Sequence, residues 1–398
     1  MPSTPTEAIR AGGKLFDILR VPAEQWPGER VYCFCPSCRK VVAILKGDPA
    51  DCPHCRRKGL KDIFTEIQQR LERAWGFYEA TRFREDSWLF KHSPDNQNYS
   101  LWSTAVMALA TYGELRAFGL PEPWGADEEI LKAWTDDINR HIDPETNLLN
   151  GPVGDEAPHG SIVSMERYIS SGYSNALNRL RETGVWPPGL KDYQIDAGQM
   201  TDEGHLRSKE AFLQYQEREK EHWRTNPWGA GSWTGRVIMN HRQIREAQGI
   251  DPDDELVDFA HQWLDRHQNP RTGAWGGEEA PHYRIVNGIF KVLVIYEQLN
   301  WPIHHQDRIV DFVLSGADPV KGFTGEGCSV FDPMMVLLVI RERGCEYRAR
   351  DVEEKTAATF LTFLDNWDEA AGWYRGNNWN GKHNNGIPAY MARLLLDR

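Results

Sequence analysis

The sequence predicts an all-α protein: an (α/α)6 toroid of six helical hairpins, preceded by a small zinc-ribbon module. Three observations carry that expectation. A corner motif at residues 263–277 (WLDRHQNPRTGAWGG) returns in degraded form at 140–148 (RHIDPETNL), 226–233 (NPWGAGSW), 317–323 (ADPVKGF) and 366–373 (NWDEAAGW), with Gly273, Gly322 and Gly372 about fifty residues apart. From residue 61 onward, segments of helical periodicity alternate between charged and apolar character. Before them stand two Cys-Pro-x-Cys knuckles.

Taken in order, residues 1–30 form an N-terminal extension with no legible chemistry, 31–60 the ribbon and 61–398 the toroid. In the ribbon, Cys35 and Cys38 are followed after thirteen residues by Cys52 and Cys55, with VVAIL between, the pattern of four thiolates closing a tetrahedral structural zinc site around a hairpin. Cys33 is one cysteine too many, and the register between it and Cys35 stays open. Asp62 is expected to cap the first helix, IFTEIQQRLERAWGFYEA, which pairs with 99–118. The alternation continues as 127–142 with 160–182, 206–224 with 232–247, 253–267 with 284–299, 306–314 with 329–343, and 351–364 with 385–396. The first helix of each later pair carries more charge and the second more apolar and small residues, as outer and inner rings require. Residues 186–204 fit poorly and read as an excursion over the rim.

A formal charge of −12 and a pI near 5.6 argue against a general nucleic-acid binder. The absence of a long apolar run and of a signal-peptide pattern points to a cytoplasmic protein without a membrane span. The sixteen Trp residues gather beside Gly or Asn in the corners, where they serve either corner stacking or a π-lined cavity.

Outer-to-inner loops fall on one end of a toroid and hold the unusual residues, so the site is expected there. Glu156 with His159 and Glu279 with His282 form a duplicated Glu-x-x-His ahead of two inner helices, a candidate acid/base set; each carboxylate could equally cap its helix. Cys328 opens inner helix five and His383 nearly opens inner helix six, with Glu326 and Asp332 close in sequence, a candidate second zinc site. Arg236, Arg284 and Lys291 would meet an anionic group, and Trp233, Trp275 and Trp379 would line the cavity. The run Asp251-Pro-Asp253-Asp254 spells an acid motif of class II cyclases but sits in a plain turn before a helix, where capping explains it.

The Gln268-x4-Gly273-x-Trp275 turn is similar to the QW repeat of triterpene cyclases, and Glu326-Gly327-Cys328 resembles the Asp-Gly-Cys metal segment of protein prenyltransferase β subunits. In that resemblance His383 takes the place of the histidine that completes the zinc site, and Glu279-Ala-Pro-His282 that of a Glu-Ala-His segment. The implied protein is a terpenoid-cyclase/prenyltransferase-type toroid acting on an isoprenoid-like small molecule. Glu stands for Asp at 326, and the basic residues that hold an allylic diphosphate are missing apart from Lys321. A glycan-active hydrolase or lyase using Glu156, Glu279 and Asp332 on an oligosaccharide is the rival expectation. A non-catalytic scaffold is another, and the ribbon could meet a protein partner in any of the three.

Overall fold

The computed structural model describes residues 30–38, 40–45, 51–52, 54–62, 66, 69, 80–91, 97–99, 133, 136–137, 140–141, 206–325, 328–365, 367–368 and 373–374. It is predominantly helical, with a small sheet at its start. The expected hairpins at 99–118, 127–142 with 160–182, and 385–396 lie outside or almost outside the described residues, as does 186–204.

Strands β1 (Arg30–Cys35), β2 (Lys40–Leu45) and β3 (Lys61–Asp62) form an antiparallel sheet in the order β2-β1-β3. Asp62, expected as a helix cap, instead ends this sheet, paired with Cys33, while Lys61 pairs with Phe34. The ribbon is docked on the helices, for Phe34 meets Phe360 edge-on with ring centroids 6.4 Å apart.

Between residues 206 and 365, among the described residues, lie eight helices: α1 (Lys209–Arg218), α2 (Lys220–Thr225), α3 (Pro227–Ala247), α4 (Glu255–His267), α5 (His282–Gln298), α6 (Gln306–Ser315), α7 (Cys328–Glu342) and α8 (Ala349–Asp365). Two boundaries differ from the sequence reading. The helix expected at 206–224 breaks at Glu219. The segment NPWGAGSW is no corner but the start of α3, because Pro227 is well placed at a first helical position and Asn226 O accepts from Gly229 N and Ala230 N.

Burial separates two layers. On α4 only Val257, Ala260, Trp263 and Leu264 are buried, and on α6 only Ile309, Val310, Val313 and Leu314, one stripe each. On α5 and α7 burial runs almost all the way round. Helix α5 packs along both α3 and α7. Glycines allow the closest approach: a Cβ at Gly288 would lie 2.8 Å from Pro227 Cβ, and one at Gly231 3.3 Å from the Gly288 carbonyl oxygen. Since Gly231 faces Gly288 and Lys291 while Gly235 faces Ile295, α3 and α5 run in the same direction.

The recurrent corner is a physical joint between neighbouring outer helices. Gln268 Nε2 donates to Gly273 O at 2.9 Å and to His304 O, ahead of α6, at 3.1 Å. Trp275 Nε1 donates back to Leu264 O at 2.9 Å. Gly273 has φ +71°, and a Cβ there would reach 2.4 Å from the Ile309 side chain on α6. At the next corner Asp318 Oδ1 accepts from Val320 N and Lys321 N, as Asn269 Oδ1 accepts from Arg271 N. Gly322, at φ +72°, abuts Lys355 and Thr359 of α8 in the same way. A third corner pairs β4 (Trp367–Asp368) with β5 (Trp373–Tyr374).

Candidate functional site: a buried carboxyl between inner helices

Helices α5 and α7 begin side by side, and a pocket of about 190 Å³ opens between their starts and the end of α6. His282, Tyr283 and Asn287 of α5, Ser329 and Pro333 of α7, and Thr324 of the second corner contribute to its wall. Pro333 has no N–H to offer the Ser329 carbonyl one turn back, which leaves that oxygen without its helical donor.

Behind this wall lies Asp332, with no exposed surface. Its Oδ1 is buried without a hydrogen-bond partner. With the Asn287 amide turned so that Nδ2 faces the carboxyl, Asn287 donates to Asp332 Oδ2 at 3.3 Å and to Tyr283 O at 2.7 Å. Burial pushes the Asp332 carboxyl up to about 7, with Lys291 opposing the shift. On the same two helices Phe290 meets Phe331 edge-on with centroids 5.7 Å apart. Such a carboxyl is a proton donor near neutral pH.

Cys328, one turn before Asp332, has its thiol pushed up to about 11, by burial first and by the Asp332 charge second. Of the expected metal set, Glu326 and His383 lie outside the described residues. His282 reaches the pocket, but its Nε2 lies 2.8 Å from Phe312 O and its ring stacks on Phe312 at 4.6 Å, so that nitrogen is the donor and Nδ1 is left for other chemistry. Lys291 reaches the Asp332 neighbourhood while its Nζ lies 4.8 Å from the Phe290 ring centre. Arg284 is exposed, its Nε donating to Tyr283 OH at 3.2 Å.

Other expected residues stand elsewhere. Glu279 neither caps α5 nor faces Asp332; it pairs with Arg224 of α2. Trp275 is buried in its corner, and Arg236 lies over the Trp233 ring at 4.6 Å on α3. Glu156, His159 and Trp379 lie outside the described residues. The acid-motif turn is structural. Asp254 Oδ1 accepts from Leu256 N at 3.0 Å and Val257 N at 3.1 Å, capping α4, and Oδ2 is 3.0 Å from His241 Nε2. Burial opposes ionisation of Asp254, but His241 and the two backbone N–H groups outweigh it and hold the carboxyl below its usual range.

A second, larger cleft of about 780 Å³ runs along the outside, between α1, α2 and the first corner. Trp223, Trp263 and Trp275 reach it, but each is less than a tenth exposed. The smaller pocket is the better chemical candidate despite its size, because Asn287 in its wall also meets the Asp332 carboxyl.

At the ribbon, Cys35, Cys38, Cys52 and Cys55 bring their sulfurs within 4.8 Å of one another, with Cys35 to Cys55 at 3.6 Å and Cys38 to Cys52 at 3.5 Å. A tetrahedron with zinc–sulfur bonds of about 2.3 Å has edges of ~3.8 Å, so the four thiols fit a closed zinc site. Burial opposes ionisation of Cys35, but the backbone N–H of Cys38 and the Cys55 thiol outweigh it and pull the group down to about 7. Cys33 is no part of the cluster. Its thiol is buried against the sheet and pushed up to about 12 by burial and then by Asp62, which settles the register in favour of Cys35.

Asn287 was missed by sequence reasoning, since an amide inside an apolar helix carries no motif. So were His261, Asp265 and His304, although the four-residue spacing of the first two on one helix was a usable signal.

No protein-family model and no curated protein matches the sequence. Among solved structures, two of the type II terpene cyclase MstE from Scytonema are similar to this chain. One holds merosterolic acid A, its product, at TM-score 0.41, and the other geranylgeranyl dihydroxybenzoate, its substrate, at TM-score 0.43. Each is 12% identical and covers 84% of this chain and 97% of its own. Among the described residues, no helix is long and apolar enough to cross a membrane.

Proposed function

We propose that this protein is an acid–base enzyme of the terpenoid-cyclase-like kind. In this reading its toroid, residues 61–398, binds an isoprenoid-like small molecule, and Asp332 delivers the proton that starts the reaction. The observation that carries the reading is the Asp332 carboxyl, fully buried between α5 and α7 with Oδ1 unpartnered. Enclosure keeps this carboxyl protonated near neutral pH, so a proton is present to be given to a carbon–carbon double bond, whereas a solvated carboxylate carries none.

Asn287 accounts for the carboxyl's orientation. By donating to Oδ2 it favours the tautomer that carries the proton on Oδ1. After the transfer Lys291 offsets the new negative charge. Glycoside chemistry asks for two carboxyl groups across one bond. Among the described residues Glu279 is tied to Arg224 away from Asp332, and the tryptophans of the outer cleft are too covered to stack on a sugar. Both points favour the isoprenoid reading.

The test is incubation of the wild type and Asp332→Asn with polyprenyl diphosphates, diphosphate-free polyprenyl arenes and oligosaccharides, with products identified by mass spectrometry. The expected result is a rearranged isoprenoid from the wild type and a loss of at least about a hundredfold in the variant. Oligosaccharide cleavage, or equal isoprenoid turnover by Asp332→Asn, would overturn the proposal.

A further inference from the structure

A cluster on the outer layer plays no part in that chemistry. His261 and Asp265 stand one turn apart on α4, and His304 lies in the segment leading into α6. His261 Nε2 is 3.4 Å and His304 Nε2 3.5 Å from one oxygen, Asp265 Oδ2. Charge-assisted hydrogen bonds of this type run to about 2.7–2.9 Å. The observed separations instead match the edge, ~3.4 Å, of a tetrahedron whose bonds to nitrogen and oxygen are about 2.0–2.1 Å.

The surroundings hold these groups as supporting residues hold ligands. Tyr296 OH donates to Asp265 Oδ1 at 2.7 Å, fixing the carboxylate and leaving Oδ2 to face the histidines. The His261 ring stacks on Trp301 at 4.0 Å and 13° and meets Tyr296 edge-on at 5.5 Å. Its Nε2 is buried without a hydrogen-bond partner. Gln268 grips the His304 carbonyl, so the backbone at 304 is anchored while its imidazole is half exposed.

We propose that His261, Asp265 and His304 form a binding site for a divalent transition-metal ion of the zinc type, separate from the cysteine cluster. Capture of the ion draws the half-exposed His304 ring inward. Two imidazoles and a carboxylate suit Zn2+, Co2+ or Ni2+, with water at the remaining position. Bound there, the ion clips α4 to the approach of α6 and reinforces the joint that Gln268 makes.

The test uses the full chain and ZnCl2 in equilibrium dialysis, with bound zinc counted in the wild type, His304→Ala and Asp265→Asn. His304→Ala removes a half-exposed ring, and Asp265→Asn keeps an oxygen for Tyr296, so both variants retain the fold. The expected result is one fewer bound zinc per chain in each variant at a free zinc concentration that saturates the wild type, with affinity at the site lowered at least about tenfold. CoCl2 in place of zinc should add, in the wild type and not the variants, an absorption without thiolate charge-transfer bands. Equal zinc in the wild type and both variants would overturn the site; because the reading depends on His304, zinc held by cysteines does not enter it.

Discussion

Asp332 shows how much one residue's surroundings decide. An Asp in solution titrates near 3.8, and enclosure between α5 and α7 moves this one to about 7. The consequence for stability has a definite sign. Below about pH 4 both folded and unfolded chains carry the proton, while between about 4 and 7 the unfolded chain loses it and the folded chain keeps it, so this residue makes stability fall as pH rises through that window. Asp332→Asn should flatten that part of the profile in urea denaturation at a series of pH values; an unchanged slope would mean the carboxyl is ionised in the fold. Asp332 was legible in the sequence as a candidate, because it sits one turn into an inner helix after an unusual loop. Its burial was not legible, since that depends on residues of α5 some forty positions earlier. Glu279 shows the converse: its motif looked catalytic, but Arg224 on α2, distant in sequence, claims it.

Among the elements, outer and inner helices were readable because charge and apolar character alternate along the chain, and α4 through α8 fall within a few residues of their expected bounds. The failures are local. Trp-Gly-rich NPWGAGSW mimics a corner, yet Pro at a first helical position starts α3. Gly231 of the same segment, with Gly288 on α5, serves the approach of α3 to α5. Gly288→Ala should therefore destabilise by about 1–3 kcal/mol, although Gly→Ala in an exposed helix stabilises, because its Cβ would press on Pro227. Asp254→Ala should cost about 1 kcal/mol through the lost cap of α4, with a further loss from His241 left unpaired. Thermal melts of the two variants beside the wild type check both; a Gly288→Ala variant more stable than the wild type would mean that α3 and α5 do not meet there.

At the scale of the molecule, the ribbon and the helices share a contact. Phe34 lies on Phe360, so closing the four cysteines around zinc should stabilise α8 as well as the sheet. Chelation is expected to remove one zinc that depends on Cys35, Cys38, Cys52 and Cys55 and to lower the melting temperature of the whole chain, an effect Phe34→Ala should weaken. A chelated protein that melts like the untreated one would leave the ribbon energetically separate. The knuckle spacing made this module legible, whereas nothing in the sequence foretold where it docks.

The most direct test of the account is the protonation state of Asp332, which needs no substrate. Infrared difference spectra between the wild type and Asp332→Asn, recorded from about pH 4 to about pH 9, isolate one carboxyl carbonyl band. The account predicts that the band of the protonated acid persists to near pH 7 and disappears above it. Its disappearance by about pH 5 would contradict the buried proton donor, and with it the proposed chemistry.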